Sequence, residues 1–481
     1  MIETSKIWPQ AGEKFCSPYD EGWVVLSIMD FNFKVNEDFK KLDDSTVVPG
    51  LVLYEDGDYV YHKPTNEVKS YDQIPKDRYL VKPEYANERE KMKDQAKGME
   101  AISKGELCVL VLCGGQATRL GADRPKGTFE LGLEKPFNTL LRYQAAQIVR
   151  LKELAKNRYP SSDPKILWYI MVSKSTHKAI KEHIDDLCTD LDFPRDDIVI
   201  FEQQEIPAFS FEGKKFLQKD GTYFMAPNGN GGLYDSLRPH LSELESSGVR
   251  YVHVYCVDNI LCRVGDPIFL SKFIEKEADC AAKVVEKKVP SEKVGVICLE
   301  NGKPTVVEYT ELPKELAAER TDDGKLKYRA GSIANHLFSL DFLKEACQLH
   351  LPYHIARKKI PFYDPVMDMV FHKTINRENG VKLERFIFDV FPASKNFLVF
   401  QVERSDEFSP LKNPDSAGVD CPSTCRRDLS NLHAKWLQQA GIILEKEILF
   451  ISPLRTYDGE GLSSEETAVS AGGYFDFFLK H

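Results

Sequence analysis

No stretch of this chain is apolar for long enough to cross a bilayer as a helix, which takes about 20 residues. The runs CVLVLC and WYIMV fall far short of that. The opening MIETSKIWPQAGEK has no apolar core, so no signal peptide is expected. Nor is there a basic excess: 64 Lys and Arg stand against 74 Asp and Glu, a formal net charge of -10. That balance argues against nucleic acid as a partner, as the short apolar runs argue against a membrane. The 11 cysteines are scattered without a C-x-x-C pair. Cys421, Cys425 and His433 come nearest to a metal signature, but an incomplete ligand set reads as reduced thiols. Such usage suits a reducing, cytoplasmic location. Also missing are G-x-S-x-G, H-E-x-x-H, a P-loop, G-x-G-x-x-G and any dense His/Cys/Asp cluster. Chemistry built on a serine nucleophile or a caged zinc is thereby disfavoured.

What the chain does have is length, 481 residues with 42% hydrophobic and 29% charged, enough for two or three domains around a large core. Residues 1–100 are expected to form an N-terminal domain, closing in EREKMKDQAKGMEAISKGE, which reads as a solvated linking helix. From Glu106 the texture changes. ELCVLVLC, KILWYIMVSK, DIVIFEQQ and VRYVHVYCVDN are near-continuous apolar runs, as in strands buried on both faces. Between them FNTLLRYQAAQIVRLKELAKN has apolar residues at helical spacing, and SKSTHKAIKEHIDDLC opens with a Ser/Thr cluster suited to an N-cap. Strands alternating with helices give the expected fold class: α/β, with a Rossmann-like central nucleotide-binding domain carrying a mixed sheet over 101–394. AAKVVEKK, VGVICLENGKPTVVEYTE and VKLERFIFDVF alternate like hairpin strands. FLVFQVER and CRRDLSNLHAKWLQQAG suggest a small C-terminal α+β domain over 395–481.

In α/β sheets ligands collect beyond the carboxyl ends of the strands, and the motifs fall there. VLVLCGGQATRLGADRPKG, residues 109–127, runs from an apolar strand into Gly114-Gly115. Backbone N–H groups with no side chain in the way can hold phosphate oxygens or a base edge. Arg119 adds a planar fork of donors and Lys126 a point charge on a flexible stem. The bland alternative is a tight strand-to-helix turn with two surface cations. MAPNGNGGLYDSL places Gly229, Asn230, Gly231 and Gly232 before a helical run, leaving backbone open to a planar group, although Gly/Asn turns are common connectors. In HVYCVDNIL, Asp258 directly follows a strand, where its carboxylate could share a hard Mg²⁺ with phosphates or merely cap a turn. Lys382 and Lys412 stand beside apolar residues, where lysine usually snorkels to solvent. A phosphate monoester, with its second pKa near 6, attacks at neutral pH without a general base. Glycine loops, several cations and one metal-binding aspartate therefore suffice for displacement at the α-phosphorus of a nucleotide.

Taken together these motifs resemble the eukaryotic UDP-N-acetylhexosamine pyrophosphorylase family of UTP:sugar-1-phosphate uridylyltransferases. The resemblance runs in collinear order from about residue 98 to 462, through CGGQATRLGADRPKG, FEQQEIPAFSFEGK, MAPNGNGGLY, VHVYCVDNIL, ADCAAKVVEK, VVEYTE, IANH, FIFDVF, DEFSPLKN and ISPLRTYDGEGL. It implies that Leu112, Cys113, Gly114 and Gly115 hold the uracil and phosphate region of UTP, with Gln204 and Gly229 on the uridine. It implies that Arg119, Lys126, Lys382 and Lys412 serve the phosphates and that Asp258 binds the metal, Mg²⁺ or Mn²⁺. Asn230, Gly295, Glu308, Phe386 and Phe388 match the pocket for the sugar and its acetyl group. This chain departs from the pattern in Cys113 for Ala, Ala117 for Gly and Ser332 for a sugar-contacting Asn; Ala117 is expected to avoid positive φ.

The resemblance implies an enzyme that transfers UMP from UTP to N-acetylglucosamine 1-phosphate. The rivals are a broader UDP-sugar pyrophosphorylase, a catalytically silent nucleotide-sugar-binding protein and a glycosyltransferase. GGQ-x-TRLG disfavours the first, retention of Arg119, Lys126 and Asp258 the second, and a loop shaped for a third phosphate the last.

Overall fold

The structure, a computed structural model, describes residues 52–55, 58–61, 69–210, 215–371, 377–442, 450–462, 470–471 and 474–475. The chain divides into two compact units. The larger holds Ser70–Gln203, Leu233–Leu349 and Val390–His481; the smaller holds Met1–Lys69, Gln204–Gly232 and His350–Asp389. This division differs from one drawn at residues 100 and 394, because strands from both sides of those positions join one sheet.

That sheet has eleven strands: β1 (Tyr71–Asp72), β2 (Tyr79–Val81), β3 (Leu107–Leu112), β4 (Leu167–Val172), β5 (Ile198–Glu202), β6 (Tyr251–Cys256), β7 (Cys280–Glu286), β8 (Val296–Glu300), β9 (Lys303–Val307), β10 (Ala330–Ser339) and β11 (Phe397–Val402). Its main order is β2-β11-β7-β10-β6-β3-β4-β5. β10 runs antiparallel to both neighbours, and the remaining pairs on this path are parallel, so the sheet is mixed as expected. Every residue of β3 and β4 is buried, which is why their sequences do not alternate. β8 and β9 form the anticipated hairpin, turning through Asn301 and Gly302 at φ 51° and 77°, the Asn-Gly signature of a tight two-residue turn. AAKVVEKK instead supplies β7, an interior strand, and FLVFQVER supplies β11 of the same sheet.

Two local expectations fail for identifiable reasons. The linking segment is two helices, α1 (Glu88–Asp94) and α2 (Ala96–Ser103), and only α1 is without buried residues. α2 buries Met99, Ala101 and Ile102. It lies against α5 (Pro267–Glu275), where Gly98 donates to Ser271 Oγ at 2.8 Å and a side chain at 98 would collide with the Pro267 carbonyl. The Ser/Thr cluster before α4 (His177–Asp190) supplies no N-cap bond. Ser173 and Thr176 bond each other at 2.9 Å, and Ser173 Oγ donates to the Gly114 carbonyl at 3.0 Å. Helix α3 (Leu140–Arg158) is capped as its sequence suggests, with Thr139 accepting from Arg142 N at 3.3 Å.

The smaller unit is built from short strands. Gly380–Glu384 pairs with His354–Lys358 on one side and with Phe209–Ser210 on the other. Glu205–Pro207 pairs with Met225–Pro227, and Phe362–Asp364 with Met369–Phe371. VKLERFIFDVF is a strand only to Glu384; Ile387–Ala393 is a 3₁₀ helix.

Candidate active site

The larger unit holds Arg119, Lys126, Asp258 and Lys412. β3 and β6 lie side by side in parallel with Leu112 opposite Cys256, so the chain leaves both strands at the same edge. On one side it enters Cys113-Gly114-Gly115; on the other it reaches Asp258, and Val257 N donates to the Leu112 carbonyl at 3.3 Å. The glycine loop then folds back on itself. Ala117 N donates to Arg124 O at 2.9 Å, and Lys126 N to Gly115 O at 2.9 Å. This return brings Lys126 Nζ to 3.4 Å from Asp258 Oδ2, with both side chains about a fifth exposed. Ala117 takes φ −88°, as a residue with a Cβ should, while Gly121 carries the left-handed turn at φ 76°.

The two loop glycines serve different ends. A Cβ on Gly114 would stand 2.8 Å from Gln203 Nε2, whereas at Gly115 it would meet nothing within 4 Å. Gly115 is thus the open backbone position. Leu112 and Cys113 are buried and can offer a ligand backbone groups only. The Cys113 sulfur packs where a side chain on Gly127 would stand, 2.7 Å from that Cβ, and burial pushes its thiol up to about 12. Arg119 projects from the 3₁₀ turn Thr118–Leu120, exposed and without an ion pair among the described residues. Lys412 is exposed one residue beyond Leu411, whose N–H donates to the Asp258 carbonyl at 2.8 Å. Burial raises the Cys256 thiol to about 12, with Asp258 adding to the rise and Lys126 and Lys412 opposing it.

A second group in this unit joins Gly295, Glu308 and Ser332. Val296 pairs with Val307 at the mouth of the β8–β9 hairpin, so Gly295 faces Glu308; a Cβ on Gly295 would lie 3.3 Å from Glu308 Oε1. Ser332 N donates to the Gly295 carbonyl at 2.9 Å. Just beyond, the register of β7 on β10 slips, Lys283 facing Asn335 and Val284 facing Ser332. Ala334, inside that bulge, has φ 52°, a left-handed conformation that costs a residue with a Cβ roughly 1–2 kcal/mol.

The smaller unit gathers Gln204, Gly229, Asn230, Lys382, Phe386 and Phe388. The Gln204 carbonyl accepts from Asn228 N at 3.2 Å, and Asn228 O accepts from Arg385 N at 2.7 Å. The glycine cluster is not the open cradle its sequence suggested. Gly229, at φ 85°, would collide through any Cβ with the Arg385 carbonyl, and a Cβ on Gly231 would stand 2.7 Å from Phe386 N. These glycines let the loop press onto the Arg385–Phe386 backbone, sealed by Gly231 N donating to Arg385 O at 2.8 Å. Asn230 Oδ1 accepts from Ile387 N at 2.9 Å, which leaves its amide N–H₂ for a ligand. Phe386 stacks on His354 at 4.1 Å and lies 5.0 Å from Phe388. Lys382 Nζ sits 5.3 Å from the Phe224 ring, and burial holds its pKa below the ordinary lysine range.

Sequence reasoning missed Gln203 and Ser173, which buttress Gly114, and the strap formed by Asn259 described below. The run EQQE drew attention to Gln204, while SKST resembled a helix cap. Cys421 and Cys425 open helix α6 (Pro422–Gln439), and no group of three or more His, Cys, Asp or Glu able to hold a metal ion occurs among the described residues.

A glycine loop and an ion pair stand together at the ends of two adjacent parallel strands, and comparison with known proteins gives the class of protein, a uridylyltransferase. The chain belongs to the UTP–glucose-1-phosphate uridylyltransferase family, whose sequence pattern matches residues 58–437. The UDP-N-acetylglucosamine pyrophosphorylase of Saccharomyces cerevisiae is 40% identical over 377 residues, covering 76% of this chain and 77% of that protein. The UDP-N-acetylhexosamine pyrophosphorylase-like protein 1 of Mus musculus is 43% identical over 399 residues, 76% of each chain. Among solved structures, the uridine diphosphate N-acetylglucosamine pyrophosphorylase of Trypanosoma brucei superposes with a TM-score of 0.72 at 29% identity, covering 82% of each chain. No helix among the described residues is long and apolar enough to cross a membrane.

Proposed function

We propose that this protein transfers UMP from UTP to N-acetylglucosamine 1-phosphate, giving UDP-N-acetylglucosamine and pyrophosphate. The observation that carries this is the Lys126–Asp258 pair, 3.4 Å apart beside Gly115 at the ends of two parallel strands. An oxygen of the sugar phosphate attacks the α-phosphorus of UTP, and the bond to the leaving pyrophosphate breaks. The nucleophile arrives ionised, so the protein's work is to position it and to neutralise charge. Arg119, exposed and without an ion pair among the described residues, would grip the leaving group through its fork. Lys126, paired with the aspartate, and Lys412, next to the Leu411 that bonds the Asp258 carbonyl, would serve as point charges. Lys382 and the Phe386–Phe388 face serve the sugar phosphate and its acetyl group. Asp258, Mg²⁺ and phosphate oxygens fit together, because a hard cation needs one or two protein carboxylates when phosphates fill its other positions. When bound, such an ion would neutralise phosphate charge. The reading includes a cytoplasmic location, with which the cysteines of the described residues, all free, accord.

The test is pyrophosphate release from UTP with a panel of sugar 1-phosphates. N-acetylglucosamine 1-phosphate should be preferred over glucose 1-phosphate, since burying one methyl is worth about 0.8 kcal/mol before its amide hydrogen bonds are added. Equal kcat/KM values would favour a broader UDP-sugar pyrophosphorylase, a reading that Ser332 in the sugar group would then support. Binding without turnover would leave a nucleotide-sugar-binding protein.

A further inference from the structure

Resting on that reading of Asp258 and Lys412, we propose that Asn259 is a positioning residue whose carboxamide straps the Asp258 strand end to the loop that carries Lys412. Asn259 is 4% exposed. Its Nδ2 donates to the Glu407 carbonyl at 2.7 Å, and its Oδ1 accepts from Ser409 N at 2.9 Å and Leu261 N at 3.3 Å. The backbone continues the strap: Ile260 N donates to Ser409 O at 3.2 Å, and Leu411 N to Asp258 O at 2.8 Å. Lys412 is the next residue. This buried place requires an uncharged side chain that donates from one atom while accepting at another, and asparagine is the shortest that does so.

The far end of the loop is anchored as firmly. The Glu407 carboxylate, 1% exposed, bonds Lys283 and, at 2.8 Å, Lys82, with Arg263 Nε at 3.5 Å. Lys283 is itself fully buried and bonds Asp266 at 2.5 Å. Glu407 cannot drift without leaving buried charges unpaired. The loop therefore has a fixed root at Glu407, a clasp at Asn259 and its working cation at the open end. The clasp fixes Lys412 relative to Asp258, and a displacement of about 1 Å in such a constellation costs on the order of 10²-fold in rate.

A double-mutant cycle tests this. Asn259→Ala, Lys412→Ala and the double variant are compared in kcat for pyrophosphate release and in UTP affinity by calorimetry. Asn259→Ala should lower kcat by roughly 10- to 100-fold while moving UTP affinity by less than about threefold. The double variant should be no slower than Lys412→Ala alone, because a strap has nothing to place once the ammonium is gone. Losses that multiply, or an Asn259→Ala enzyme at full kcat, overturn the proposal. If Lys412→Ala alone keeps full activity, the functional reading of Lys412 fails and the strap's purpose with it. Should Asn259→Ala not fold, Asn259→Asp, which keeps the acceptor for Ser409 N, carries the same cycle. Failure of both to fold would mark Asn259 as structural and overturn the positioning role.

Discussion

Lys126 meets Asp258 at 3.4 Å although 132 residues separate them in sequence. Each side chain keeps about a fifth of its surface open, so the pair is available to a ligand and adds little to stability. Two groups of opposite charge held at a strand edge, neither fully satisfied by the other, suit a polyanion that arrives with its own cation.

Asp258→Ala should therefore remove turnover, by 10²-fold or more if the group stabilises developing charge as other preorganised centres do. The melting curve should stay within a few degrees of the parent. Pyrophosphate release beside a thermal scan reads both, and an active variant would move the metal elsewhere.

Arg119→Ala should lower kcat by roughly 10²–10³ while weakening UTP binding much less, since charge builds on pyrophosphate only as the bond breaks. Arg119→Lys should recover little, because a point charge lacks the fork. A loss confined to UTP affinity, with kcat intact, would make the residue a ground-state anchor.

Gly115 and Gly229 should respond oppositely to alanine. Open space surrounds the first, so Gly115→Ala should melt like the parent and lose only ligand contacts. At Gly229, φ 85° and the Arg385 carbonyl both oppose a Cβ. The left-handed conformation alone costs about 1–2 kcal/mol, and the collision should raise the loss to roughly 3 kcal/mol. Urea unfolding of the two variants distinguishes them.

Stability should fall in mild acid through two buried histidines. Burial, reinforced by the charge of Lys283, holds His253 at about 4; burial, then His253, holds His336 at about 3. His253 uses both ring nitrogens as a neutral ring, Nδ1 accepting from Gly265 N and Nε2 donating to Asn335 Oδ1. Above the ordinary histidine value near 6.5 neither folded nor unfolded chain is protonated there, and nothing is lost. Below it the unfolded chain binds protons that the native state refuses. Unfolding free energy should thus drop by about 1.4 kcal/mol per pH unit for each ring between roughly pH 6.5 and 4. His336→Leu should flatten this slope in chemical denaturation across that range; an unchanged slope would contradict it.

The glycine loop was legible because its parts are contiguous: a strand, two glycines, Arg119, Lys126. So was the strand-end position of Asp258, since apolar runs show where strands stop. What stayed hidden is carried by tertiary contact. Nothing local in MAPNGNGG says that its glycines serve packing on Arg385, since that partner lies more than 150 positions on. α2 is charged enough to read as solvated, yet its Met99–Ile102 face is buried because Gly98 admits α5. Asn259 reads as a turn residue until the Glu407–Ser409 backbone stands beside it. The left-handed Ala334 has no signal at all in SIANH, because a bulge is a property of two strands.

Edge strand β2 docks on β11, with Tyr79 donating to Gln401 across 322 residues of sequence. During synthesis the earlier strand must wait for its partner, and at about 5–20 residues per second that wait lasts tens of seconds. The ribosome thus delivers the glycine loop and Asp258 well before the ladder that completes their sheet, together with Lys412, which follows β11 by ten positions. Throughout that interval the nascent chain carries an unpaired apolar strand edge, the kind of surface through which incomplete chains associate, so the exposure belongs to the order of synthesis rather than to the finished fold.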